Sequence, residues 1–154
     1  MLVFASLAFF TGCEQKQVAK TGEKAPEISD TDIHGDIITL SKFKGNVVVL
    51  YFWTDSCCGD SLKYVERYYR QIKDKGLVVL AINEKNNKDI VQSYTETNSL
   101  TFTMLTDGMG MTAREYGVFG FPTIFILDRE GVIRKKILGY ITTAQLGKLV
   151  AQYL

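Results

Sequence analysis

The spacing of hydrophobic positions changes along this chain, and each change marks an element. Val47–Trp53 is an unbroken β-branched and aromatic run, the pattern of a strand buried on both faces. Behind it, Leu62, Val65, Tyr68, Tyr69 and Ile72 recur at helical spacing within Cys57–Lys75, and Gly76 ends that helix. Leu77–Ile82 predicts a second buried strand. Lys88–Thr97 predicts a weaker helix and Met111–Tyr116 a short one. Pro122–Asp128 and Val132–Leu138 predict paired strands around a tight turn at Arg129-Glu130-Gly131. Thr142 or Thr143 is placed to N-cap a closing helix that runs to Leu154. Nearer the start, His34-Gly35-Asp36 has turn composition and Ile37–Leu40 is strand-like, so a hairpin is expected there. Ser41–Asn46 reads as a turn or a single helical turn.

This order predicts an α/β fold: a central mixed sheet flanked by helices, with an N-terminal β-hairpin extension. The 154 residues fit one domain. With a formal net charge of +1 there is no dense basic face for nucleic acid. No repeat is visible, and no apolar stretch reaches the ~18–20 residues of a membrane span. A monomer that needs no cofactor is expected.

The N-terminal end differs in composition. Met1–Gly12 is apolar and uncharged, with the length of a signal-peptide core and too short to span a bilayer. Phe10-Thr11-Gly12-Cys13 resembles a bacterial lipobox, although Phe10 stands where leucine is usual and no basic residue precedes the run. On that reading, residues 1–12 are the end of a signal peptide, Cys13 is lipidated, 13–23 form a polar tether and 24–154 the folded domain. The product would be a membrane-anchored lipoprotein facing the bacterial periplasm, an oxidising compartment. The alternative is an apolar strand packed on the domain.

The junction from Trp53 to Asp60 carries the candidate chemistry. A buried strand runs out into a turn, and Cys57 and Cys58 fall in the first turn of a helix. Unpaired N–H groups and the helix dipole stabilise a thiolate there, below the free thiol value of ~8.5. A buried, inert cysteine is the competing reading. His34 and two adjacent cysteines are too few ligands for zinc or copper, so no metal site is expected.

From Gly22 onward the chain resembles thioredoxin-like proteins of the AhpC/TSA–redoxin group, close to the TlpA/ResA branch of membrane-tethered thiol–disulfide oxidoreductases. The matching segments are Gly22–Pro26, Leu40–Gly45, Val47–Trp53 and Gly120–Asp128. The resemblance implies that Cys57 is the nucleophile and that Pro122 is a cis-proline facing it. Phe121 would then offer backbone groups to an extended substrate, with Thr123 completing the groove. It implies a disulfide substrate on a protein or small thiol, with exported proteins, apocytochrome c among them, as candidates.

Two positions depart from the branch, which has Trp-x-x-x-Cys-x-x-Cys. Asp60 replaces the second cysteine, and Lys63 stands where ResA-type proteins carry glutamate. Asp60 cannot resolve a mixed disulfide. If its carboxylate points at Cys57, repulsion over ~5 Å at an effective dielectric near 20 is roughly 3 kcal/mol, about two pKa units against the thiolate. If it turns outward, it only complements the helix N-terminus. Cys58 is then the candidate second sulfur, through a bridge between adjacent residues whose Cα atoms lie ~3.8 Å apart, below the usual disulfide range. Such a bridge is expected to be strained and labile. Two other readings stay open. One is a redox-inactive or monothiol binding module that grips a partner through an exposed Trp53–Cys57 loop with Phe119 and Phe121. The other is a peroxiredoxin-like peroxidase, for which Thr54 sits three residues before Cys57 but Leu50 occupies the signature's proline position.

Overall fold

The computed structural model describes residues 18–154. The expected signal segment 1–12 and the expected lipidation site Cys13 lie outside the described residues. The expected tether, 13–23, reaches into them and there is part of the domain. Ala19 is buried and its N–H donates to Glu115 O at 3.0 Å, and the Gly22 N–H donates to Ile133 O at 2.8 Å.

A hairpin comes first, β1 (Ser29–Thr31) antiparallel to β2 (Ile37–Thr39). Asp32 closes its turn, accepting the N–H groups of His34 at 2.8 Å and Asp36 at 2.9 Å on one carboxylate oxygen. Leu40, expected in the strand, opens a single 3-10 turn, Leu40–Phe43. Then follow β3 (Val47–Trp53), α1 (Asp55–Ile72), β4 (Leu77–Glu84) and α2 (Lys88–Thr97). The rest is β5 (Thr103–Asp107), α3 (Met111–Glu115), β6 (Thr123–Leu127), β7 (Ile133–Leu138) and α4 (Thr143–Val150). Among the described residues, five strands form the main sheet in the order β5-β4-β3-β6-β7. β3, β4 and β5 are parallel, β6 runs against β3, and β7 runs against β6 and so in the same direction as β3.

Every residue of β3 is buried because helices cover both faces of the strand. Val47, Val49, Tyr51 and Trp53 face α1 and α4, packing with Leu62, Val65, Leu146 and Val150. Val48, Leu50 and Phe52 face the other way, onto Tyr116, Phe125, Leu105 and Ile28. Burying side chains such as Leu62 and Val65 contributes roughly 1.5–3 kcal/mol each, which holds α1 flat on the sheet.

Element ends depart from the sequence expectation in physically readable ways. The first long helix starts two residues early, at Asp55, and ends at Ile72; a 3-10 turn over Lys73–Lys75 follows, and Gly76, at φ +91, takes the left-handed position that closes it. α4 stops at Val150 rather than Leu154, and its cap is Thr142, in a reciprocal capping box with Gln145. β5 has no counterpart among the expected elements. It forms by parallel pairing to β4 and is bridged on its outer side by Asp32 opposite Leu105.

Candidate active site

Thr54, in extended conformation, is the N-cap of α1, so Cys57 and Cys58 fall at the third and fourth helical positions. An N-cap threonine ordinarily accepts a backbone N–H with its hydroxyl. Thr54 makes no such cap bond; its Oγ1 donates instead to Cys57 Sγ at 3.3 Å. Cys57 is exposed and Cys58 is buried behind it. The Thr54 N–H donates to Cys58 Sγ at 3.5 Å. The two sulfurs are joined as a disulfide between adjacent residues whose Cα atoms are 3.8 Å apart.

The carbonyls of both cysteines receive side-chain hydroxyls. Tyr140, from the β7–α4 connection, donates to Cys57 O at 2.8 Å. Ser61 donates to Cys58 O at 2.6 Å and is hydrogen-bonded in turn to the Tyr51 hydroxyl. Burial pushes the Tyr51 phenol up to about 12, so it remains a neutral hydroxyl at neutral pH.

Asp60 takes the outward pose. Its side chain is 93% exposed and pairs with Lys63 Nζ at 2.9 Å, one helical turn on. The lysine thus neutralises the carboxylate in solvent, where charge interactions are weak.

Trp53 does not form the exposed grip that the sequence suggested. It is fully buried, because alternation along β3 turns it onto the α1 face. There its ring packs against Tyr94 of α2, centroids 5.0 Å apart and planes tilted by 46°. Tyr94 also lies over Gly59. Burial raises the Tyr94 phenol, and the nearby Asp60 charge adds to that shift.

The loop before β6 lies alongside. Phe121–Pro122 is a cis peptide. Since Phe52 pairs with Thr123, the register carried one residue further sets Pro122 beside Trp53, at the end of β3. Pro122 is buried and its carbonyl accepts the Gly139 N–H at 2.8 Å. Thr123 is buried too; its hydroxyl donates to Gly120 O at 2.6 Å and closes the loop from inside, so its side chain is no wall of a groove. Phe121 is half-buried beneath Lys85, whereas Phe119 is 94% exposed.

The structure therefore brings together Trp53, Thr54, Cys57, Cys58 and the Phe121–Pro122 loop, and turns Asp60 and Lys63 away. Sequence reasoning missed Tyr51, Ser61, Tyr94 and Tyr140. The one hydroxyl in the otherwise apolar run Val47–Trp53 was a usable signal for Tyr51. Nothing local marks Tyr140, which arrives from 83 residues away. His34 sits in the hairpin turn, and among the described residues no group of three His, Cys, Asp or Glu side chains could hold a metal ion. No helix of the described residues is long and apolar enough to cross a membrane.

Comparison with known proteins fits this geometry. The AhpC/TSA family model matches residues 21–136. The thiol–disulfide oxidoreductase ResA of Bacillus thuringiensis is 31% identical over 140 residues, covering 90% of this chain and 79% of the relative. The thioredoxin-like protein YneN of Bacillus subtilis is 34% identical over 131 residues, covering 81% and 75%. In three dimensions, a thiol:disulfide interchange protein from Bacteroides superposes with a TM-score of 0.75 at 27% identity, covering 86% of this chain and 91% of that one. The fold is thioredoxin-like, a mixed sheet between helices with a hairpin before it. The chain belongs to the AhpC/TSA family.

Proposed function

We propose that this chain is a thiol–disulfide oxidoreductase with Cys57 as nucleophile and Cys58 as second sulfur, acting on disulfides of exported proteins. The asymmetry at the start of α1 carries the reading: one cysteine is exposed with a hydroxyl on its sulfur, the other buried and bonded to it. ResA-type relatives supply the reaction class.

In the reducing direction the Cys57 thiolate attacks one sulfur of the substrate disulfide. That S–S bond breaks, and the far sulfur leaves with the electron pair and takes a proton from water. The Cys58 thiolate then attacks Cys57 Sγ, the bond from Cys57 to substrate breaks, and the second substrate sulfur leaves as thiolate. Two electrons pass from the cysteine pair to the substrate, and an external dithiol reductant restores the pair. The helix N-terminus and the Thr54 hydroxyl stabilise the attacking thiolate. With Asp60 held outward by Lys63, little opposes them.

The lipobox-like Cys13 supports anchoring at the membrane with the domain in the periplasm, and the resemblance to the ResA branch makes apocytochrome c a substrate to test first. Turnover of a disulfide-bonded protein such as insulin, with Cys57→Ser and Cys58→Ser, tests the chemistry. Cys57→Ser is expected to abolish exchange and Cys58→Ser to accumulate a mixed disulfide. Full exchange by Cys57→Ser overturns the reading. Exposed Phe119 and Leu138 favour one second reading, a module that grips a partner without chemistry; partner binding unchanged in Cys57→Ser together with absent exchange by the wild type supports it.

A further inference from the structure

Closing a bond between the sulfurs of adjacent residues places the amide that joins them inside a ring with both side chains. The carbonyl carbon of Cys57 is a ring member; that of Cys58 is not. A donor on Cys57 O therefore touches the ring itself, whereas the Ser61 hydroxyl on Cys58 O touches the helix beyond it.

The donor on Cys57 O is the Tyr140 hydroxyl, at 2.8 Å in the closed form. The ring of Tyr140 is 67% exposed, but its backbone is anchored on both sides. Before it, the Gly139 N–H donates to Pro122 O at 2.8 Å. After it, Ile141 is buried and Thr142 caps α4. One short segment thus ties the cis-proline loop to the amide between the cysteines.

We propose that Tyr140 is a positioning residue for the Cys57–Cys58 pair, its hydroxyl favouring the closed, oxidised form by holding the carbonyl of the linking amide. This rests on the reading above that the two sulfurs work as one redox pair. The balance is that of exchange with oxidised glutathione: the two cysteine thiols lose two electrons and two protons, one S–S bond forms, and the glutathione disulfide becomes two thiols.

The test equilibrates the full chain and its Tyr140→Phe variant with defined glutathione ratios, and counts open and closed pairs by thiol trapping and mass. Phenylalanine keeps the ring and removes only the donor. The expected result is a shift of about fivefold toward the dithiol, the size of one neutral hydrogen bond. In a Cys58→Ser background no ring can close, and there Tyr140→Phe is expected to leave the alkylation rate of Cys57 within about twofold, below the effect of one lost hydrogen bond. An unchanged equilibrium, or a shift toward the disulfide, overturns the inference. So does an equal change in the Cys58→Ser background, which would place the effect on the Cys57 sulfur. If the wild type closes the bridge and Tyr140→Phe behaves identically, the inference falls and the paired-cysteine reading stands. If the wild type closes no bridge at any ratio, both fall.

Discussion

Tyr94 dictates the identity of residue 59: a Cβ built on Gly59 would stand 2.7 Å from the Tyr94 hydroxyl oxygen and 2.8 Å from its ring carbon. Tyr94 cannot swing freely aside, because its ring is packed against buried Trp53. The residue after the two cysteines is thus set by α2. Gly59→Ala is expected to lower stability by about 1–3 kcal/mol through overpacking. In Gly59→Ala with Tyr94→Ala the two costs are expected to be less than additive by about 0.5–3 kcal/mol, the range for residues in contact. Urea unfolding of the four proteins measures this, and strict additivity would refute the contact.

The Thr54 hydroxyl on Cys57 Sγ predicts a titration effect in the reduced protein. A donor to the charged form lowers the pKa of a thiol. Thr54→Val is expected to raise the Cys57 value by about one unit, while Thr54→Ser holds it near wild type. The pH dependence of alkylation reads both.

Asp60 gives the opposite kind of prediction. Its carboxylate is in solvent on Lys63, so Asp60→Asn is expected to lower the Cys57 pKa by less than about half a unit. A fall of about two units would mean that the carboxylate addresses the sulfur directly.

Asp128 predicts acid sensitivity. Burial alone would raise its carboxyl, but N–H donors from Val132 at 2.9 Å and Glu130 at 3.0 Å, with the Arg134 guanidinium at 2.6 Å, hold it below its ordinary value of 3.8. A folded value below the unfolded one contributes stability above about pH 4, lost as pH falls through the folded value. Asp128→Asn is expected to cost about 2 kcal/mol at pH 7. That difference from wild type should shrink in urea titrations at pH 3 and below; a difference independent of pH would contradict the assignment.

What the sequence disclosed follows the range of the forces involved. Val47–Trp53 announces itself because a strand covered on both faces must be apolar at every position. The cysteines at a helix start were legible because the strand, the turn and the helical spacing are all local. β5 was not: Thr103–Asp107 is short, with threonine at two of its positions, and its identity as a strand comes from β4 beside it. The pose of Asp60 was open in sequence and is settled by a lysine one turn away. Trp53 misled because an aromatic at the end of a strand looks available, whereas its packing partner Tyr94 lies 41 positions on in another helix. Gly139, the residue before Tyr140, meets Pro122 through a backbone bond that no local pattern encodes.

The hairpin that precedes the sheet has a consequence for how the molecule tolerates its own neighbours. Unpaired strand edges are templates for polymerisation. The outer rim of β5 is already occupied where Asp32 bridges Leu105 and the Ile33 N–H donates to Met104 O. On the opposite rim, Lys24 pairs with Val132 just before β7 begins. The remaining stretch of that strand presents Arg134, Lys135 and Lys136 in succession, all exposed. Arg134 is paired with Asp128 and Lys136 is turned back onto the carbonyls of Tyr116 and Gly117, so a copy approaching edge to edge would meet chiefly the exposed Lys135, a charge of the kind that keeps strand edges from fusing.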